Sequence, residues 1–179
     1  MNNAEKTKWV IDPAHSEIQF KVKHLVISNV TGSFDKFDGT VYATGDDFSD
    51  ARIDFRADVN SINTNQPDRD NHLKSPDFFD AVNHPDLSFK SKSLKKKGEH
   101  GFVLTGDLTI RGTTKQVDLD GEFGGVVIDP YGNTKAGFEL NGKIHRKEFG
   151  LTWNALTEAG GMVVSDEIKL MMNVELAKS

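Results

Sequence analysis

The 179-residue sequence contains no cysteine, which excludes a disulfide framework, a thiol nucleophile and a cysteine-ligated metal. No apolar run approaches membrane-spanning length, and the first residues, MNNAEKTK, are polar where a secretory signal needs an apolar stretch of about 7–15 residues. The expectation is a soluble cytoplasmic protein, or a periplasmic one if the chain is a mature form behind an added methionine. A net positive charge is missing too. The net charge of −5 leaves no basic footprint for nucleic acid or anionic headgroups. The one basic run, Lys90 to Lys97, falls in a strand and the turn after it and reads as a solvated edge. A chain of this length with 36% hydrophobic residues suits a single domain over residues 1–179, with one continuous core or one cavity.

What is present is a two-residue rhythm. Ile18, Phe20 and Val22 alternate with Gln19, Lys21 and Lys23. Ala51, Ile53, Phe55, Ala57 and Val59 oppose Arg52, Asp54, Arg56 and Asp58. Leu87 and Phe89 oppose Ser88, Lys90 and Lys92. The same pattern places Phe102, Leu104, Gly106, Leu108 and Ile110 on one face, then Val117, Leu119, Gly121 and Phe123, then Ala136, Phe138, Leu140, Gly142 and Ile144, and last Ile168, Leu170, Met172, Val174 and Leu176. Asp12-Pro13 interrupts the first strand, Arg111-Gly112 supplies a tight hairpin, and Asn154 to Gly161 reads as a helical turn. Thr31-Gly32 reads as a bend before Ser33 to Ala43, where Phe37, Gly39, Val41 and Ala43 share a face and Phe34 falls out of phase through a bulge near Asp35.

About eight strands, each with one dry and one wet face and mostly short turns, form either a closed antiparallel barrel or two packed sheets; up-and-down order favours the barrel. Eight strands enclose a lumen either just filled by side chains or wide enough for one ligand. The inward mixture of phenylalanines with Gly39, Gly106, Gly121 and Gly142 is compatible with both. The near absence of inward charge favours the hollow reading and an apolar ligand. Each buried methylene contributes about 0.8 kcal/mol, so a five-carbon unit gains at most about 4 kcal/mol before losses of motion. The expected lumen residues are Ile18, Phe20, Val22, Phe37, Ile53, Phe55, Phe89, Leu104, Leu108, Phe138, Leu140, Ile144, Leu170 and Met172.

One stretch breaks the rhythm, Asp68 to Phe89. Asn65 or Thr64 can cap a short helix with Pro67, Asp68 and Asp70 in its first turn, and Ser75-Pro76-Asp77 repeats the start signal for a second helix carrying Phe78 and Phe79. Helices this short need an apolar dock, so the segment reads as a lid over one mouth, with His72, Leu73, Phe78 and Phe79 as its working residues.

The runs W-V-I-D-P-A-H-S from Trp9, F-K-V-K-H-L from Phe20 and G-S-F-D-K-F-D-G from Gly32 resemble the opening of the YceI-like family of polyisoprenoid-binding proteins. Arg69-Asp70-Asn71-His72-Leu73-Lys74-Ser75-Pro76-Asp77-Phe78-Phe79-Asp80, His84-Pro85, Gly106-Asp107-Leu108-Thr109, Gly112-Thr113-Thr114 and Phe149-Gly150-Leu151 continue the resemblance over nearly the whole chain. It implies an all-β, eight-stranded, lipocalin-like antiparallel barrel with one or two short helices inserted near one mouth. It further implies one long isoprenoid-type lipid, a polyprenyl phosphate or a quinone tail, held in the lumen for transport, storage or stress response, commonly by a homodimer. No other cofactor is expected, nor any nucleic-acid partner; membrane contact would be transient. Val10, Val103 and Met171, apolar at outward positions, are the candidates for a dimer patch.

Chemistry is the competing reading. Asp68 and His72, four apart on the proposed helix, with His84 or His15 nearby, are the candidates for a metal-dependent or hydrolytic enzyme, although no His-x-x-x-His pair supports a metal. His15 and Ser16, adjacent in a strand, point to opposite faces and cannot exchange a proton. His24 is a headgroup candidate or a satisfied structural histidine. Arg69, Lys74, Arg146 and Lys147 are candidates for a pyrophosphate at the mouth. A filled barrel acting only through partner proteins is the third reading.

Overall fold

The computed structural model describes residues 6–154 and 163–179; residues 155–161 of the expected helical turn lie outside the described residues. Among the described residues the strands are β1 (Thr7–Ile11), β2 (Glu17–His24), β3 (Ser28–Phe34), β4 (Phe37–Ala43), β5 (Arg52–Asp58), β6 (Ile62–Asn63), β7 (Asp86–Lys97), β8 (Gly101–Ile110), β9 (Thr113–Ile128), β10 (Thr134–His145) and β11 (Val164–Lys178), with one α-helix, α1 (Pro67–Lys74), between β6 and β7.

These strands trace eight antiparallel paths, because three paths are each broken once. β1 and β2 are separated by a 3-10 turn at Pro13–His15, β3 and β4 by a bend at Asp35-Lys36, and β5 and β6 by a 3-10 turn at Val59–Ser61. Two of the breaks are tied to each other. Asp35 N–H donates to the Ser61 carbonyl at 3.1 Å, Asp58 N–H to the Lys36 carbonyl at 2.9 Å, and Lys36 N–H to Ser61 Oγ at 3.0 Å. These bonds replace strand pairing where the two paths turn their corners.

Closure depends on β11. Its last residues pair with β1, Leu176 opposite Ile11, while its earlier residues pair with β2, from Val164 opposite His24 to Asn173 opposite Glu17. One long strand thus joins both halves of the first path, and the sheet has become a closed eight-stranded barrel with its apolar faces inside.

Three local expectations are corrected. Thr31 and Gly32 are not a bend; they pair with Lys21 and Phe20 in the middle of β3, and the chain turns later, at Asp35. The cap of α1 is Gln66, whose side chain accepts from Arg69 N–H at 2.9 Å, rather than Asn65 or Thr64. Ser75-Pro76-Asp77 starts no second helix. Asp80 N–H and Phe78 N–H both donate to the Ser75 carbonyl and Ala81 N–H to that of Lys74, so the segment is a compact succession of turns with Asp80 at φ 50°.

Candidate functional site

The barrel encloses a cavity of about 220 Å³ whose exposed lining is wholly apolar. Of the expected lumen residues, Ile18, Phe20, Val22, Ile53, Phe55, Phe89, Leu104, Leu108, Phe138, Leu140, Ile144, Leu170 and Met172 stand in its wall. Phe37 does not. It follows directly on the break at Asp35-Lys36, packs on Phe55 with centroids 6.2 Å apart, and borders a separate hollow lined by Pro13, Ser16 and Asp35.

Periodicity missed several wall residues. Leu94 turns inward because β7 bulges between Ser91 and Ser93, which shifts the alternation by one. Phe48 lies in the polar loop between β4 and β5, at φ 57°, yet is 2% exposed. It plugs the far end of the barrel, with its ring 5.1 Å from Trp9, 5.5 Å from Phe123 and 5.0 Å from Phe138. A large aromatic within Asp46-Asp47-Phe48-Ser49-Asp50 was the available signal.

The near end is closed by the turns after α1. The helix contributes only the half-buried Leu73 to the cavity wall; Phe78 and Phe79, in the turns that follow, also reach it. Phe79 meets Phe34 edge-on at 5.9 Å, and Phe78 lies 5.4 Å from Trp153. Arg111 holds this cover in place, its Nη1 donating to the Phe78 carbonyl at 2.9 Å and to that of Gly150 at 3.2 Å. His72 stays outside the wall. It sits 4.7 Å from Trp153 and 5.1 Å from Phe78, and its Nε2 pairs with Asp77 at 2.9 Å.

Two of the headgroup candidates, Arg69 and Arg146, have other occupations. Arg69 is turned back onto Thr64, donating to its hydroxyl at 2.8 Å and its carbonyl at 2.7 Å. His24 ends β2 opposite Ser28 and Val164. Arg146 is 3% exposed and touches the cavity, but its guanidinium is spent on four backbone carbonyls: Ser165 at 2.9 Å, Leu151 at 2.7 Å, Trp153 at 2.8 Å and Val164 at 3.1 Å. Burial lowers its pKa, and the more distant Asp166 carboxylate opposes the shift.

Asp68, His72 and His84 do not converge; His84 instead packs over the Arg111-Gly112 turn. Among the described residues, the one group with metal-ligand spacing is Asp12, His15 and Glu175, whose ligand atoms lie within 4.8 Å of one another near the break in the first path. Lys135 already serves it, its Nζ 3.0 Å from Asp12 and 3.7 Å from Glu175. The hydrogen bond from His15, then that from Lys135, holds the Asp12 carboxyl down at about 2, and the same bond raises the His15 pKa. Ser16 Oγ faces away from His15 and bonds to the Glu175 backbone, accepting from its N–H at 2.9 Å.

The YceI-like domain family matches residues 9–176, the span from Trp9 in β1 to Leu176 in β11 that the barrel needs for closure. The chain belongs to this family. The YceI-like domain is 37% identical to a UPF0312 protein of Staphylococcus aureus over 174 residues, 97% of this chain and 99% of that protein. The Campylobacter jejuni YCEI protein superposes with a TM-score of 0.72 at 35% identity, covering 89% of this chain and 91% of that one. At lower identity the fold alone is shared. Burkholderia cenocepacia BcnA gives a TM-score of 0.80 at 21% identity, over 92% of this chain and 98% of its own. A polyisoprenoid binding domain from Saccharophagus degradans gives 0.72 at 14%, over 96% of this YceI-like domain and 98% of its own chain.

Proposed function

We propose that this YceI-like domain binds one long apolar lipid of the isoprenoid type in its lumen and carries it without chemical change. The observation that carries this reading is the cavity itself, an apolar channel closed by Phe48 at one end and by Phe78 and Phe79 at the other. Ile168 and Leu176, both in its wall, lie eight steps apart on β11, about 27 Å measured along a strand. A space of about 220 Å³ drawn out over such a wall accepts a chain more readily than a compact ring system. Affinity would come from methylene and methyl burial, about 25 cal/mol per Å² of apolar surface, without a polar contact fixing the ligand's identity. A Saccharophagus degradans domain of the same fold is described as binding polyisoprenoid, which agrees with this ligand class.

Native mass spectrometry of freshly purified protein, followed by solvent extraction, tests the reading. A copurifying prenyl lipid or isoprenoid quinone, up to one per chain, is expected. One divalent metal per chain with no lipid, or an empty protein that refuses added prenyl alcohol, would overturn it.

A further inference from the structure

The hairpin between β2 and β3 ends in Leu25-Val26-Ile27, three apolar residues that are 40%, 71% and 86% exposed. A tight turn at this point calls for asparagine or glycine, since the backbone enters the left-handed region; here Leu25 has φ 55° and the β-branched Val26 φ 64°. The sequence therefore tolerates local strain in order to present grease to solvent, the pattern of a functional tip. Around it stands a polar collar of Lys23, His24, Ser28 and Asn29. The tip also connects with the lumen. Leu25 N–H donates to the Val163 carbonyl at 2.8 Å, and the neighbouring Val164 and Val22 both line the cavity.

Strand register places this tip at the end where β11 begins and β10 finishes, the end covered by Phe78 and Phe79. Val82, 92% exposed on the turn just after that cover, stands at the same end. We infer that this end docks on a lipid bilayer, with Leu25, Val26 and Ile27 inserted among the acyl chains and cargo passing along Val22 and Val164. The inference rests on the lipid-binding reading of the lumen, because a cargo of that class resides in bilayers. Three residues ringed by polar groups are too small for a stable protein interface, which buries roughly 1,200–2,000 Å². Yet they suit shallow insertion, with Lys23 reaching up to the headgroups. With a chain net charge of −5, insertion relies on apolar contact rather than on attraction to anionic lipid.

The test uses the full chain with phosphatidylcholine vesicles and the double variant Val26→Asn, Ile27→Asn. Asparagine suits the left-handed backbone at 26, and Ile27 is exposed, so this variant should melt no lower than the parent while its vesicle partitioning falls at least about tenfold. Ile128→Asn, at the opposite end of the barrel and 73% exposed in the parent, should partition like the parent. A second arm follows a fluorescent prenyl alcohol. Uptake from detergent should be equal in parent and double variant, whereas uptake from vesicles should be slower in the variant. Failure of both proteins to take the probe from detergent would overturn the lumen reading; the vesicle arm judges docking separately. Docking is overturned if the parent ignores vesicles, if the double variant binds them equally, if Ile128→Asn loses as much, or if the double variant changes only the oligomeric state.

Discussion

The ring of Phe102 lies directly across its cross-strand partner Gly121, so that a methyl group at 121 would overlap it. Phe20 covers its partner Gly32 in the same way, and Phe89 lies over Gly106, diagonal to it on the neighbouring strand. The inward glycines are therefore not windows into empty space. Gly32, Gly106 and Gly121 each admit a phenylalanine ring, and Gly39 and Gly142 are covered by the aliphatic side chains of Ile11 and Leu119; large side chains laid over the wall leave the axis of the barrel open.

From this pairing, Gly121→Ala should push the Phe102 ring off the wall and destabilise the protein by about 1–3 kcal/mol, the usual cost of overpacking. Gly137→Ala, at a site with nothing within 4 Å, should cost little or be mildly stabilising. Urea unfolding of both variants checks the contrast, and equal effects would show that the glycine spaces are not occupied by rings.

The face assignment predicts that Phe55→Asp and Leu170→Asp, both in the cavity wall, abolish retention of a prenyl lipid through native chromatography. Arg56→Ala should retain it. The Arg56 side chain is 60% exposed and its ion pairs to Asp38 and Asp86 are long, 3.7 and 3.8 Å. Similar behaviour from all three would refute the inward and outward assignment.

Arg146 ties the start of β11 to the chain at Leu151 and Trp153 through the four carbonyls it serves. Arg146→Met would leave these carbonyls without their donor and should cost at least about 3 kcal/mol, read as a lower melting temperature. Arg146→Lys should recover only part of this, because an ammonium cannot reproduce the planar fork.

Asp12 predicts a pH signature. Its folded pKa, about 2, lies below the ordinary 3.8, so its contribution is present above pH 3.8 and lost as pH falls towards 2. His15 is shifted up from 6.5 by the same bond, so its contribution is full below that value and lost as pH rises through the raised one. The difference in melting temperature between the parent and Asp12→Asn should be greatest between about pH 4 and 6.5 and shrink on either side. A difference that does not change with pH would contradict the pairing.

Much of the barrel was legible because alternation is local: a strand wet on one face writes its inward set into every second residue, as in Ile168 to Leu176. The corners were less legible. Phe37 loses its place in the wall at a break fixed by Ser61, 25 residues away, and Leu94 enters through a bulge that Ser91 helps to hold by accepting from Ile53 N–H. Arg146 read as a headgroup ligand because a guanidinium near an opening suggests one. Its partners are carbonyls of separate segments, whose convergence no spacing reveals.

By itself, the order of residues determined that the chain would have one dry and one wet sheet face, and that a stretch opening at Asp68 would interrupt them, although the alternation resumes at Asp86, before Phe89. Whether the dry face enclosed a channel or a solid core was decided only in three dimensions. That outcome depends on register: Phe102 had to fall opposite Gly121, and β11 had to reach both β1 and β2. Cross-strand neighbours are distant in sequence, and a shift of one residue would turn every ring to the other face.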